Sequence, residues 1–98
     1  MSWKKDLGKS IKELRFIFCQ QSSASEGVRQ YIKNNYLDLK KKNSDFPILI
    51  RECENAHPNV MARYDFGEER RYYLHDMNEK SVEEMVKQLV KDAKQVNQ

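Results

Sequence analysis

No stretch of this 98-residue sequence approaches the roughly 20 consecutive apolar residues needed to cross a bilayer. The start, Met1-Ser2-Trp3-Lys4-Lys5-Asp6-Leu7, lacks the apolar segment of a secretory leader. Glycine and proline are scarce, at 3 and 2 residues, which excludes collagen-like and low-complexity chains. Two cysteines, Cys19 and Cys53, are too few for a secreted disulfide scaffold and lack the paired close spacing of a zinc site. The basic excess is only +3, from 18 basic and 15 acidic residues, so charge alone names no nucleic-acid partner. His57 and His75 have no Cys, Asp or Glu at ligand spacing, no serine arrangement forms a triad, and no glycine-rich phosphate loop occurs. The expectation is a soluble intracellular domain with no metal site or phosphate-binding loop.

What is present is enough apolar material for one core, 39% of residues, under a highly charged surface, 34%. A chain of this length buries about two thirds of its unfolded surface, so that core is modest. Residues 1–11 read as a peripheral tail and residues 12–98 as the domain. From Glu13 to Cys19, Leu14, Phe16 and Phe18 alternate with Arg15 and Ile17; the run reads as an interior strand, apolar on both faces. Ser23 and Glu26 have the spacing of a helix capping box. Val28, Tyr31, Ile32, Tyr36 and Leu39 then recur at helical spacing up to Lys40-Lys41-Lys42 and Asn43. Ile48 to Cys53 reads as a second buried strand, which completes a right-handed βαβ unit with parallel strands. Val60–Phe66 and Arg70–His75 form a hairpin about Gly67, and Asn78 caps a helix striped by Val82, Met85, Val86, Leu89, Val90 and Ala93. The order is β-α-β-β-β-α, an α/β fold with a mixed four-stranded sheet.

Parallel strands bring Cys19 and Cys53, each at the C-terminal end of its strand, to one sheet edge, within the separation that a disulfide tolerates. Such a bond would stabilise the fold by roughly 3–4 kcal/mol on the chain-entropy model. Cys19 also stands at a strand-to-helix junction, where the helix dipole favours a thiolate, and begins a C-x-x-S sequence ending at Ser22. Against this stands the bland reading of free cysteine as a small buried hydrophobe, weighted evenly. Arg51 and Arg63 either reach solvent or pair with carboxylates, and Tyr64, Phe66, Tyr72 and Tyr73 divide between packing and docking. Lys40–Lys42 read as compensation of the helix dipole.

The element order, the cysteine at the first strand-to-helix junction and Pro58 before the third strand resemble a thioredoxin-like fold lacking its second helix. More specifically, Pro47-Ile48-Leu49-Ile50-Arg51-Glu52-Cys53 and Ala62-Arg63-Tyr64-Asp65-Phe66-Gly67, with Cys19-Gln20-x-Ser22 and Gly27-Val28-Arg29, resemble the small thioredoxin-like accessory subunits of mitochondrial NADH:ubiquinone oxidoreductase, respiratory complex I. Some mitochondrial ribosomal proteins share that domain. The resemblance implies a non-catalytic component without cofactor, peripheral on the matrix side of the inner membrane and bound to complex I core subunits near the large iron-sulfur subunit. It implies neither nucleic-acid binding nor membrane insertion, and it makes Arg51, Arg63, Tyr64 and Phe66 partner-contact candidates. The basic, aromatic strand Arg70-Arg71-Tyr72-Tyr73 departs from the animal pattern. Two rivals stand beside this reading: a thiol redox module in which Cys19 attacks and Cys53 resolves, and a mitochondrial ribosomal protein.

Overall fold

Side chains alternate across a strand, so Leu14, Phe16 and Phe18 lie on one face of the first strand and Glu13, Arg15 and Ile17 on the other. The computed structural model, which describes residues 3–5 and 7–96, bears this out. In β1 (Glu13–Phe18) the first three are buried and the others half-buried. Around it run α1 (Leu7–Ser10), α2 (Glu26–Lys42), β2 (Ile48–Glu52), β3 (Asn59–Arg63), β4 (Glu69–Tyr73) and α3 (Glu79–Val96), with 3₁₀ turns at Ser23–Ser25 and Asp65–Gly67. The sheet order is β2-β1-β3-β4; β1 pairs parallel with β2 and antiparallel with β3, and β4 pairs antiparallel with β3. This is an α/β fold on a mixed four-stranded sheet, as the sequence indicated.

The core fills the space between one sheet face and the helices. Phe16 meets the Tyr31 ring of α2 at 6.1 Å between centroids, and Val82, Val86 and Leu89 of α3 close over Leu14, Val60 and Ala62 in the same cluster. Two expectations for the strands need correction. The second face of β1 carries Glu13 and Arg15 beside Ile17, so it is not apolar. Nor is β2 buried: as an edge strand it buries only Ile48 and exposes Arg51 and Glu52.

The expected tail is also packed. Leu7 and Ile11 lie four residues apart on one side of a helical turn and are fully buried, α1 rests on α3, and Trp3 packs against the core. Asn43 reinforces this by donating to the Lys4 carbonyl at 2.6 Å. A four-residue helix is too short to show periodicity, which is why the sequence concealed it.

The start of α2 differs from the expected capping box. Ser22 accepts from the Ala24 N–H at 3.1 Å and caps the 3₁₀ turn, while the Ser25 hydroxyl accepts from the Cys19 N–H at 3.2 Å. At the other end, Lys40 Nζ donates to the Ser44 and Phe46 carbonyls, which lie beyond the last residue of the helix, so this lysine pins the α2–β2 loop. Asn78 caps α3 as anticipated, its side-chain oxygen accepting from the Ser81 N–H at 2.9 Å.

The hairpin turns earlier than expected because Tyr64 leaves the strand for the core. Its hydroxyl donates to the Leu89 carbonyl at 2.6 Å, and the chain reverses through Phe66 and Gly67, both at positive φ. Beyond the turn β4 splits its basic, aromatic run: Arg70 and Tyr72 face α3, whereas Arg71 and Tyr73 are exposed. Asp92, buried on α3, accepts from the Tyr72 hydroxyl, from Gln88 at 2.8 Å and from Arg70 at 3.2 Å. Burial alone would raise its pKa, but these hydrogen bonds and the Arg70 charge outweigh that and hold the carboxyl below its ordinary value.

Two predictions follow from this packing. A Cβ on Gly27 would lie 1.8 Å from the Met77 carbonyl oxygen and 2.8 Å from its carbon. Gly27→Ala is therefore expected to cost about 2–3 kcal/mol in urea unfolding, whereas Gly8→Ala, with only ordinary contact to Phe46 at 3.6 Å, stays near neutral. Because the folded state depresses the Asp92 pKa, the carboxylate contributes stability above about pH 4 that is lost as pH falls through the lower folded value. Asp92→Asn is expected to lose about 2 kcal/mol at neutral pH and to flatten that acid limb; an unchanged pH profile would contradict the assignment.

Candidate functional site

The parallel register of β1 and β2 pairs Phe18 with Glu52, and the next rung is made by the Cys53 N–H donating to the Phe18 carbonyl at 2.9 Å. Cys19 and Cys53 therefore emerge side by side at the C-terminal edge of the parallel pair, as the βαβ reading required. They line a shallow cleft of about 250 Å³ with Gln20, Gln21, Glu52 and Glu54. Both are free thiols; Cys19 is 6% exposed and Cys53 is open to solvent.

The surroundings of Cys19 favour its thiolate. Backbone N–H groups of Gln21, Asn55 and Ser22 approach the sulfur and, with the Arg29 charge, outweigh burial and lower its pKa. The two loops that supply these groups are fixed. Arg29 Nη1 donates to the Cys19 carbonyl at 2.8 Å and the Ser22 carbonyl at 2.7 Å, tying the β1–α2 loop to the second turn of α2. Asn55 adopts a left-handed conformation at φ 61°, which Asn tolerates better than most residues, inside the turn closed by the Ala56 N–H on the Cys53 carbonyl at 3.1 Å. Ser22, the last residue of the C-x-x-S sequence, acts as a cap through its side chain and meets Cys19 through its backbone.

The other singled-out residues lie elsewhere. Tyr64 is 1% exposed, so it is a core residue and is withdrawn as a partner contact. Phe66, in contrast, is 93% exposed and sits at φ 64°, a conformation a bulky side chain rarely adopts. Arg51 and Arg63 lie on the sheet face away from the helices, Arg63 paired with Glu69 at 3.4 Å. His57 and His75 approach to 6.4 Å between ring centroids, yet no group of three or more His, Cys, Asp or Glu among the described residues is placed to hold a metal ion. Sequence reasoning missed Arg29 and Asn55, whose roles depend on backbone atoms that no motif displays; the single clue was an Asn after an apolar strand.

The family model for the mitochondrial ribosomal protein L51 / S25 / CI-B8 domain matches residues 28–79, more than half of the chain, spanning both strand segments on which the resemblance rested. The chain belongs to this family. Among curated members, NADH dehydrogenase (ubiquinone) 1 alpha subcomplex subunit 2 of Arabidopsis thaliana is 44% identical over 91 residues, covering 93% of this chain and 94% of its own. The NADH-ubiquinone oxidoreductase 10.5 kDa subunit of Neurospora crassa is 39% identical over 92 residues, 94% of this chain and 98% of its own. The mouse NADH dehydrogenase (ubiquinone) 1 alpha subcomplex subunit 2 is 43% identical over 68 residues, 69% of each chain. The L51 / S25 / CI-B8 match begins after Cys19, whereas the plant and fungal alignments each extend over more than nine tenths of the chain.

The thiolate environment yields a direct expectation. In a Cys53→Ser protein, the ultraviolet absorbance of the Cys19 thiolate should titrate at lower pH than that of an ordinary free thiol. Arg29→Gln should move it upward while circular dichroism remains unchanged. A Cys19 titration at or above the ordinary value would show that its burial dominates.

Proposed function

We propose that this chain is a non-catalytic accessory subunit of mitochondrial NADH:ubiquinone oxidoreductase, docked on the matrix-side peripheral arm near the large iron-sulfur subunit and supporting its assembly or stability. The observation that carries this reading is the near end-to-end match to relatives bearing that enzyme's name at 39–44% identity. A peripheral position accords with the helices, none of which, among the described residues, is long and apolar enough to cross a membrane. The fold fits a thioredoxin-like domain without its second helix: a parallel βαβ unit, an antiparallel hairpin added beyond β1, and a closing helix. Arg51, Arg63 and the strained, exposed Phe66 are the partner contacts in this proposal.

The thiol pair serves this subunit as a redox-sensitive clip. Access sets the order of events and reverses the one expected from sequence. Cys53 is exposed, so its thiolate attacks one sulfur of an external disulfide such as oxidised glutathione and expels a glutathione thiolate. The stabilised Cys19 thiolate then attacks the Cys53 sulfur of the mixed disulfide and releases the second glutathione. The two cysteine thiols are oxidised and one glutathione disulfide is reduced to two thiols. A free-standing thiol oxidoreductase is the weaker reading, since Cys19 is nearly enclosed.

Purification of the tagged chain from mitochondria in mild detergent tests both halves. It should migrate on native gels with NADH dehydrogenase activity and iron-sulfur subunits, and its loss should leave that complex depleted or unstable. Normal complex without the chain, or recovery with ribosomal proteins instead, would overturn the proposal. Alkylation before denaturation should show the Cys19–Cys53 bond form on exposure to oxidised glutathione and disappear in Cys53→Ser.

A further inference from the structure

Among the described residues, all three helices lie on one side of the sheet or at its margin and none covers the opposite face. The register defines its three rows. Arg51, Ile17, Asn59 and Tyr73 form the first, Leu49, Arg15, Met61 and Arg71 the second, and Glu13, Arg63 and Glu69 the third. Ile17 and Leu49 are half-buried, Tyr73 is 59% exposed, and Met61, though buried, stands outside the core cluster. Leu49, Ile17, Met61 and Tyr73 thus zigzag from one edge to the other across a face otherwise lined by charged and polar side chains.

Its charges are unbalanced in a definite pattern. Glu13 is engaged by Arg15 at 3.0 Å and Glu69 by Arg63 at 3.4 Å, so both acids are already matched. Arg51 and Arg71 are exposed, and their side chains make no hydrogen bond or ion pair to another described residue. They stand at opposite edges of the sheet, on β2 and β4, roughly 15 Å apart by three strand spacings. Two of the buried polar atoms lacking a partner among the described residues, Arg15 Nε and Asn59 Oδ1, belong to this face. Arg15 therefore uses only part of its guanidinium fork, on Glu13.

We infer that this helix-free sheet face is the docking surface for an acidic protein segment, which lays apolar side chains over Ile17, Leu49 and Tyr73 and places carboxylates against Arg51 and Arg71. The inference rests on the accessory-subunit reading and specifies which face serves it and with what chemistry. A second copy of the chain fits poorly, because a twofold pairing brings two more uncompensated arginines to a face whose acids are already engaged. RNA fits less well than protein, because Glu13 and Glu69 lie on the face and its centre is apolar. Charge complementarity of this kind governs encounter and register, and reversal of charge opposes both.

The test uses the full chain returned to mitochondria that lack it. Arg51→Glu with Arg71→Glu alters only exposed side chains, so the purified variant should unfold like wild type. Lys33→Glu with Lys41→Glu makes the same change in net charge on the exposed surface of α2 and serves as the control. Incorporation into the NADH dehydrogenase complex should fall at least about tenfold for the arginine pair and remain at wild-type level for the lysine pair. Equal incorporation of both would overturn the docking face while leaving the accessory-subunit reading intact, whereas failure of wild type itself to incorporate would remove that reading. A chain whose arginine-pair variant loses ribosomal RNA, or loses a dimer seen by sedimentation, in place of the complex would overturn the acidic-protein assignment.

Discussion

The parallel pairing of β1 with β2 is the constraint on which the rest of this molecule depends. A parallel pair requires a crossover, and α2 supplies it while covering the apolar side of β1. The same pairing fixes a register in which Phe18 stands beside Glu52, so the two residues that follow, Cys19 and Cys53, must share an edge. A slip of one residue would turn Leu14, Phe16 and Phe18 away from the helices, at a cost far above any gain at the edge. The thiol cleft is therefore a by-product of core burial: the apolar face holds the register, and the register holds the cysteines.

Much of the architecture was legible because period-2 and period-3.6 patterns report burial directly. The stripe of α3, its Asn78 cap, the mixed sheet and the shared cysteine edge were all readable in this way. What failed was information carried by neighbours distant in sequence. β2 has the composition of an interior strand, yet it stands at the edge of the sheet, and composition cannot reveal the order of strands in a sheet. α1 was missed because Leu7 and Ile11 acquire meaning only against α3. Tyr64 looked like a surface aromatic within a strand until the Leu89 carbonyl gave its hydroxyl a buried acceptor.

The site was legible only in part. The sequence placed the sulfurs together, but their inequality is set by backbone: N–H groups of Gln21, Ser22 and Asn55 surround Cys19, while Cys53 stays exposed. Arg29 entered the sequence reading only within Gly27-Val28-Arg29, and its two carbonyl contacts arise because the β1–α2 loop folds back over the start of the helix. The run Arg70–Tyr73 looked uniform, but strand alternation divides it into an inner pair that holds Asp92, Arg70 by charge and Tyr72 by a hydrogen bond, and an outer pair that faces outward. One basic strand thus has two unrelated jobs, and only the pleat separates them.

The close approach of Gly27 to Met77 has a dynamic counterpart. The Asp76 N–H donates to the Ala24 carbonyl at 3.0 Å, so the loop that cradles Cys19 and the segment that launches α3 are stitched together at two adjacent points. Segments joined in this way open together, with shared protection against hydrogen exchange. If the proposed clip closes, its effect should reach the entry to α3, on the far side of the hairpin in sequence, so amide exchange at Asp76 is expected to gauge the redox state of a sulfur it never touches.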